Sequence, residues 1–150
     1  MDKPEKKTND TEKSVFDKFQ ALWMGSASEV YSDKVLELSY EPQNVGEINN
    51  PDAVGFARGS CGDRMSIFLK LENGFIADIK FLTDGCGATL ACGSAVTLLA
   101  KKRTPFEATK IYPQHIVRYL DGLPSSHLHC AVLAVQTLKK ALENLNESEE

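Results

Sequence analysis

Residues 64–83 read RMSIFLKLENGFIADIKFLT, and this stretch decides the fold. Apolar and polar residues alternate on both sides of the central ENG, which is the pattern of two strands that each bury one face. An Asn-Gly pair between two such runs favours a tight hairpin turn. We therefore predict adjacent antiparallel strands over residues 63–72 and 75–84.

The register of this hairpin depends on its loop length, because a slip of one residue moves a whole set of side chains to the other face. A two-residue loop, Asn73-Gly74, would place Leu69 opposite Asp78 and mix the faces. A three-residue loop that includes Glu72, with Gly74 in the left-handed conformation, gives one apolar face. Its predicted pairs are Met65 with Phe81, Ile67 with Ile79, and Leu69 with Ala77.

Extended to the open end of the hairpin, this register brings cysteines and a carboxylate together. It places Cys61 opposite Gly85, and Cys86 follows at a cross-strand distance of about 5 Å from Cys61. Asp63, predicted opposite Thr83, lies two residues from Cys61 and shares its face of the strand. We therefore expect two thiols and a carboxylate to converge at this end.

The run ATLACGSAVTLLAKKR, residues 88–103, predicts a helix that starts beside Cys86. Gly85 and Gly87 allow a tight turn from strand to helix, and the free amides and dipole of a helix N-terminus favour a thiolate at Cys86. Cys92 lies six residues further on, about 240° around the helix. We predict that Cys92 belongs to the core rather than to a site.

A last long helix is predicted to begin at Pro124, where the following pair of serines offers a capping hydroxyl. His127, His129 and Cys130 fall in about its first turn and the start of the next, the most electropositive part of the helix. Its predicted buried stripe consists of Leu128, Val132, Val135, Leu138, Leu142 and Leu145.

Helical spacing of apolar residues also predicts helices over residues 15–23 and 29–39, and a short turn and a helix follow residue 103. A further strand is expected near residues 54–60. The predicted fold is therefore α+β, with a small antiparallel sheet of about three strands and helices packed on one face.

A folded domain is expected over residues 27–145 of the 150-residue chain. The N-terminal extension, residues 1–26, is predicted to be partly disordered with a short amphipathic helix, and residues 146–150 form an acidic tail.

Composition narrows the range of partners. The net charge is −4 and no basic stripe with interleaved aromatic residues occurs, so nucleic acid is not expected to bind. The sequence shows neither a signal peptide nor an apolar run of membrane-spanning length, so we expect a cytoplasmic protein without a membrane partner. In that reducing compartment, four cysteines are expected to be metal ligands or reactive thiols rather than disulfides.

The candidate ligands share one chemistry and are Cys61, Asp63, Cys86, His129 and Cys130. Thiolates with one imidazole or carboxylate suit tetrahedral zinc or the irons of an iron–sulfur cluster. None of the spacings is a standard zinc-finger pattern. On spacing alone, a core with scattered cysteines and a capping histidine stays open as the alternative.

Four segments of the sequence carry a family resemblance. They are YSDKVLELSYEPQNVGEI, SCGDRMSIFLKL, FLTDGCGATLACGSAVTLL and LPSSHLHCAVLA. Together and in this order they resemble the NifU/IscU-type iron–sulfur cluster assembly scaffolds, from Tyr31 to about Leu142. The resemblance implies a stand-alone scaffold that is not an enzyme.

The resemblance also implies roles for the ligands and their partners. Cys61, Cys86 and Cys130 would be the cluster-binding thiols, with His129 or Asp63 as the remaining ligand, and Asp63 would favour cluster release. The family assembles a [2Fe–2S] or sometimes a [4Fe–4S] cluster from iron and from the persulfide sulfur of a cysteine desulfurase, and passes the cluster to apo-proteins. Zinc often occupies the same ligands in purified protein. Whether two chains share a cluster as a homodimer is left open.

The sequence departs from the family pattern in the segment before its last histidine-cysteine pair. The usual Leu-Pro-Pro-Val-Lys is here Leu123-Pro124-Ser125-Ser126-His127. This change leaves open whether an Hsp70-type chaperone recognises the chain. Cys92 stands where the family usually has a small hydroxyl residue or alanine.

Two other functional classes compete with the scaffold interpretation. Zinc-dependent sulfurtransferases resemble the scaffolds, but carry an insertion before the last cysteine and lack the adjacent histidine. Here 44 positions separate Cys86 from Cys130 and His129 is present, which favours the scaffold. A thiol redox enzyme using Cys86 and Cys130 ranks last, because the chain has no Cys-x-x-Cys motif.

Overall fold

Three antiparallel strands and a set of helices form the part of the chain that the computed structural model describes, residues 30–149. The elements in chain order are α1 (Asp33–Tyr40), β1 (Ala53–Arg58), β2 (Arg64–Glu72), β3 (Phe75–Thr83), α2 (Gly87–Ala100), α3 (Pro105–Ala108), α4 (Pro113–Tyr119), a 3₁₀ turn (Ser125–His127) and α5 (Leu128–Glu149). The strands lie in the order β1-β2-β3. The α+β prediction is confirmed.

Helices α5 and α2 cover the buried face of the sheet, α5 over β1 and β2 and α2 over β3. Among residues 30–149, no helix is both long and apolar enough to cross a membrane. The predicted extension, with its helix over residues 15–23, lies outside the described residues. Helix α5 continues through Glu149, into the segment predicted as an acidic tail.

The hairpin turn differs from the prediction. Glu72 pairs with Phe75, so the loop has two residues, and both have positive φ, 56° at Asn73 and 83° at Gly74. This conformation is the type I′ turn that Asn-Gly favours, since its twist matches that of the strands. The predicted three-residue loop is therefore wrong.

A β-bulge explains how a two-residue loop still gives one apolar face. The register shifts between Lys70 and Leu71, so Ala77 is the extra residue of β3. One extra residue reverses the side-chain alternation of the strand. The observed pairs beyond the bulge are Met65 with Thr83, Ile67 with Phe81, and Leu69 with Ile79, two residues from the predicted register.

The bulge also changes which residues of β3 reach the core. Ile76, Ile79 and Phe81 are fully buried, whereas Phe75 is 48% exposed. Burying a side chain of this size contributes about 1.5–3 kcal/mol, so three such side chains anchor the strand against α2.

Helix α5 approaches β1 closely at a glycine. A Cβ atom at Gly55 would lie 2.2 Å from the backbone nitrogen of Ala141. Only a residue without a side chain allows this contact, because real Cβ atoms do not approach other heavy atoms that closely. Gly55 therefore fixes the distance between the sheet and α5.

The buried stripe of α5 is partly as predicted. Val135, Leu138, Leu142 and Leu145 are buried, but Leu128 and Val132 are 43% and 40% exposed. The buried positions of the first turns are instead Cys130, Ala131, Leu133 and Ala134, three of which are small residues. Close packing favours small side chains there, which a pattern of large apolar residues does not show.

Candidate functional site

The predicted site residues lie where the open end of the hairpin meets the N-terminal ends of two helices. Asp63 directly precedes β2, and Cys86 is the N-cap residue of α2. His129 and Cys130 lie in the first turn of α5. Three separate segments of the chain therefore bring these four side chains to one place.

A threonine that the sequence analysis did not single out connects them. Thr89 is fully buried, and its Oγ1 donates a hydrogen bond to Oδ2 of Asp63 at 2.9 Å. The same oxygen lies 3.4 Å from Sγ of Cys130 and 3.8 Å from Sγ of Cys86. In the sequence, Thr89 could have been found by its position three residues after Cys86. This spacing places both side chains on one face of the first helical turn.

Gly85 makes this close arrangement possible. A Cβ atom at Gly85 would lie 2.7 Å from Oδ2 of Asp63 and 2.7 Å from Oγ1 of Thr89. Any side chain at this position would therefore push apart the two groups that share the hydrogen bond. The glycine before Cys86 is therefore required by the packing of the site.

Cys61 stands apart from this network. The pairing of β1 with β2 ends at Arg58 and Arg64, so Cys61 lies in the connecting turn and is exposed. Gly62 has φ of +96° in that turn. The predicted places of Cys61 opposite Gly85 and of Asp63 opposite Thr83 are wrong, because the bulge shifts the register and neither residue belongs to β2. Within the described residues, the hydrogen bonds of Thr89 do not reach Cys61.

A clamp at the end of the hairpin holds the site's two strands together. The Arg64 guanidinium lies 2.7 Å from Oδ2 of Asp84, and the Arg64 backbone N–H donates to Oδ1 at 2.8 Å. These contacts, the backbone hydrogen bond first, hold the pKa of Asp84 below its usual value. Because Arg64 follows Asp63 and Asp84 precedes Gly85, the clamp fixes the spacing of the two site segments.

Imidazoles lie on the other side of Cys130. His129 Nε2 is 3.7 Å from Sγ of Cys130, and the ring centroids of His127 and His129 are 6.0 Å apart. Ligand atoms of His127, His129 and Cys130 all lie within 4.8 Å of one another. His127 was not among the predicted ligands.

The thiols differ in their proton affinity. Hydrogen bonding to the Cys130 thiol, together with the amides of Thr89 and Ala88, lowers the pKa of Cys86 to about 5, against the opposing effect of burial. The same pairing with Cys86, followed by burial, raises the pKa of Cys130. The pKa values of the two thiols are therefore shifted in opposite directions, and Cys86 is the one that ionises more readily.

Cys92 has no part in this pair. Its side chain is fully buried, which confirms its predicted place in the core, and burial raises the pKa of its thiol. His115 also lies away from the site and accepts a hydrogen bond at Nδ1 from the Tyr112 N–H, at the start of α4.

The sequence model of the NifU-like N terminal domain matches residues 30–150. This chain belongs to the NifU-like family. The family was predicted from four segments, three of which contain the candidate ligands, and the match confirms it.

Named relatives agree with this assignment. The NifU-like chain is 42% identical over 114 residues to the iron–sulfur cluster assembly scaffold protein IscU 1 of Archaeoglobus fulgidus, covering 75% of this chain and 74% of that protein. It is 38% identical over 121 residues to the iron–sulfur cluster assembly protein IscU of Plasmodium falciparum, covering 78% and 74%. The nitrogen fixation protein NifU of Nostoc sp. is 40% identical over 123 residues, but the match covers only 41% of that longer protein.

Solved structures show the same fold. FiSufU from Fervidobacterium islandicum AW-1 superposes with a TM-score of 0.63 at 22% identity, covering 75% of this chain and 96% of that one. The N-terminal NifU-like protein from Brucella abortus gives 0.61 at 16% identity, covering 77% and 93%. At these identities the likeness concerns the fold alone.

The donor set of this NifU-like domain determines what it can bind. Thiol groups of Cys86 and Cys130, a carboxylate and imidazole nitrogens meet at one place, with a third thiol at Cys61 in the adjacent turn. Thiolate and imidazole ligands suit zinc and the irons of iron–sulfur clusters, whereas Mg²⁺ and Ca²⁺ prefer sites built from oxygen alone. The residues present therefore fit an iron–sulfur cargo.

Proposed function

We propose that this NifU-like domain is a scaffold on which an iron–sulfur cluster is assembled and from which it passes to apo-proteins. The observation that carries the proposal is the convergence of Asp63, Cys86 and Cys130 on the hydroxyl of Thr89. Two relatives that align with this chain over 74% of their own length are named as iron–sulfur cluster assembly scaffold proteins. The domain acts as a carrier rather than as an enzyme.

Three thiolates and one other ligand complete the proposed site. Cys61, Cys86 and Cys130 bind the irons, and Asp63 or His129 supplies the remaining position. Cys61 joins from its exposed turn, in which Gly62 provides a conformation that other residues rarely adopt. Four ligands of this kind match a [2Fe–2S] cluster, which is the cargo that we propose, and zinc can occupy the same ligands.

Asp63 is proposed to make the cargo easy to release. A carboxylate oxygen is a harder and weaker ligand for a cluster iron than a thiolate. Because Thr89 donates to Oδ2 of Asp63, the carboxylate has a partner ready whenever it leaves the iron. The scaffold therefore loses little when Asp63 dissociates, and an apo-protein thiolate can take its place.

Sulfur is proposed to arrive from a cysteine desulfurase. Cys61 and Cys86 are exposed, so these two thiols meet an incoming persulfide first. The scaffold thiolate attacks the terminal sulfur, the S–S bond of the donor breaks, and the donor cysteine leaves as a thiolate. Electrons that convert the transferred sulfur to sulfide come from ferrous iron and an external thiol or ferredoxin-type reductant. Four free cysteines suit the reducing cytoplasm, where we place this exchange.

Anaerobic reconstitution tests the proposal. The full chain is incubated with ferrous iron, cysteine, a reductant and a cysteine desulfurase, and the visible absorption is recorded with iron and zinc analysis. We expect a cluster chromophore with about two irons per cluster, which moves to an apo-ferredoxin when the two are mixed. Zinc that iron cannot displace, together with sulfur transfer that requires this zinc, would contradict the scaffold and identify a sulfurtransferase.

A further inference from the structure

We propose that a cavity remote from the thiols is a binding site for a small organic phosphate, that is, a phosphate group carried on an apolar or aromatic body. The cavity has a volume of about 480 Å³ and lies between the C-terminal end of α2 and helices α3 and α4. Leu99 of α2 lines it, whereas Cys86 is the N-cap residue of the same helix. At 1.5 Å per residue, these two residues lie about 20 Å apart along the helix axis. The cavity is therefore distinct from the cluster site.

Positive charge predominates in the lining of this cavity. Arg103, Lys110 and Arg118 contribute three cations and Glu107 one carboxylate, so the lining carries a net charge of +2 in a chain whose net charge is −4. Within residues 30–149, the ion pairs of side chains lie elsewhere, and none involves a cation of the cavity. The Glu107 carboxylate is itself engaged, because its Oε1 accepts the Thr104 N–H at 3.1 Å. A phosphate monoester carries about −1.5 to −2 charges at neutral pH and matches this lining better than a single carboxylate does.

Local hydrogen bonds hold two of the donors in place. Nε of Arg103 donates to the Leu99 carbonyl at 2.8 Å, which leaves the two Nη groups of the guanidinium for a ligand. Nδ1 of His115, which also lines the cavity, accepts the Tyr112 N–H at 2.9 Å. The proton of the neutral imidazole is therefore on Nε2, which makes that nitrogen a donor. Charged and neutral donors together favour a ligand with several acceptor oxygens, as phosphate has.

Apolar side chains supply the rest of the lining. Ile111 is buried, and Leu99 and Tyr119 are half-buried at the cavity. These surfaces gain nothing from a free inorganic ion, but they can contact the body of an organic one. Sites for small molecules combine such an apolar lining with a few placed polar groups, in cavities of about 300–1,000 Å³. The combination selects an organic phosphate rather than phosphate alone.

A second cavity provides a control for charge. It has the same volume, about 480 Å³, and lies between β1 and α5, with Arg58, Lys139 and Lys140 in its lining. Nζ of Lys139 lies 5.3 Å from the centroid of the Tyr112 ring, which is not part of that lining. In the part of the chain that the structure describes, this second lining has one arginine and no imidazole. Arg58 is therefore an exposed arginine in similar electrostatic surroundings, without the set of donors that we propose to bind phosphate.

Amide NMR titration of the full chain, in buffer free of phosphate, tests the proposal. Phenyl phosphate and adenosine monophosphate are the probes, and adenosine and inorganic phosphate are the partial ligands. We expect one organic phosphate per chain, with shift changes centred on residues 99–119 and an affinity at least about tenfold above that of either partial ligand. Affinity should fall at least about tenfold in Arg118→Gln and recover in part in Arg118→Lys, which retains the charge. In the control Arg58→Gln it should change less than about twofold.

Four results would each overturn the site. They are no binding of either organic phosphate, equal affinity for adenosine, equal affinity for inorganic phosphate, and equal losses in Arg118→Gln and Arg58→Gln. The amide spectrum of each variant shows whether it is folded. Cluster assembly by Arg118→Gln, measured by anaerobic reconstitution, should equal that of the parent chain. Failure of the phosphate site and failure of the proposed scaffold function are therefore separate results.

Discussion

The first turns of α2 and α5 each carry a cysteine, yet the two thiols are opposite in character. Cys86 is exposed and its pKa is lowered to about 5, whereas Cys130 is buried and its pKa is raised. Both lie at a helix N-terminus, where the dipole favours an anion. The dipole therefore does not decide which thiol ionises.

Solvent exposure and the groups around each sulfur decide which of the two thiols ionises more readily. The proximity of the Cys130 thiol and of the first amides of α2 lowers the pKa of Cys86, so its negative charge is favoured. Cys130 lies in the core side of α5 beside the Thr89 oxygen, where a second negative charge next to Cys86 is unfavourable. Cys86 is therefore the more acidic of the two thiols, and a cation that binds both sulfurs would displace the proton of Cys130.

The largest effect on cluster assembly is expected from replacing a cysteine of the proposed site. Cys86→Ser or Cys130→Ser should abolish cluster assembly, because serine oxygen is a poor ligand for cluster iron, and Cys61→Ser should do the same. Visible absorption and iron content after reconstitution measure the yield. Cys92→Ala is the matched control, since its thiol is buried in the core, and it should retain the chromophore. Normal yields from all three serine variants would rule out the site.

The second prediction concerns the pH dependence of Cys86. Since its folded-state pKa is about 5 rather than the ordinary value near 9, the thiolate is present at neutral pH and is lost only as the pH falls through about 5. Alkylation of the apo-protein, followed by peptide mass spectrometry, should give a rate that is flat from pH 8 to 6 and falls about tenfold per unit below the pKa.

The pH midpoint of the Cys86 alkylation profile also tests the effect of Cys130 on the pKa of Cys86. Cys130→Ala removes the hydrogen-bond partner that lowers the pKa most, so the midpoint should move upward. The rate at pH 7 is less informative, because the nucleophilicity of a thiolate falls as its pKa falls. A midpoint near 9 in the parent chain would show that Cys86 is an ordinary thiol and remove the contrast with Cys130.

A third prediction concerns release of the cargo. Asp63→Ala removes the weakest proposed ligand and the acceptor of the Thr89 hydrogen bond. Transfer of the cluster to an apo-ferredoxin should slow about tenfold, which corresponds to about 1.4 kcal/mol on the barrier. Stopped-flow absorption follows the transfer, and faster transfer would contradict the assigned role.

The smallest effect is expected on stability. Thr89→Val removes the buried hydroxyl and should lower the free energy of unfolding of the apo-protein by about 1 kcal/mol. Thr97→Val is a matched control, since Thr97 is equally buried and its hydroxyl donates to the Ser94 carbonyl at 2.8 Å. Both should lower stability, measured by urea unfolding, but only Thr89→Val should alter the alkylation profile of Cys86. Equal profiles would limit Thr89 to a packing role.

Much of the fold could be predicted from local patterns. Alternation and the Asn-Gly pair gave β2 and β3 nearly to the residue, and the glycines around Cys86 gave the start of α2. The register could not be obtained in this way, because the bulge at Ala77 has no sequence signal that distinguishes it from regular alternation. A wrong loop length followed from treating the strand as uniform.

The ligands and their convergence at the open end of the hairpin were predicted, but the register there and the contacts among the side chains were not. Asp63, Cys86, His129 and Cys130 do meet, because each precedes or begins an element that packs on the others. Thr89 was missed because a threonine inside an apolar helix resembles an ordinary core residue until its neighbours in space are known. The grouping of His127 with His129 and Cys130 depends on side-chain positions at the start of α5, which spacing alone does not determine.

The bulge at Ala77 has a consequence for engineering this protein. Next to the turn at Asn73-Gly74, the strands pair in a register that differs by one residue from the register of the long paired segment that ends beside Asp84. The bulge absorbs this difference. The tip of the hairpin lies beyond the bulge, about ten residues from Asp63 on one strand and from Asp84 on the other. A short affinity peptide inserted between Asn73 and Gly74 should therefore leave the distances around Cys86 intact, so the protein could be immobilised by this turn with its site free.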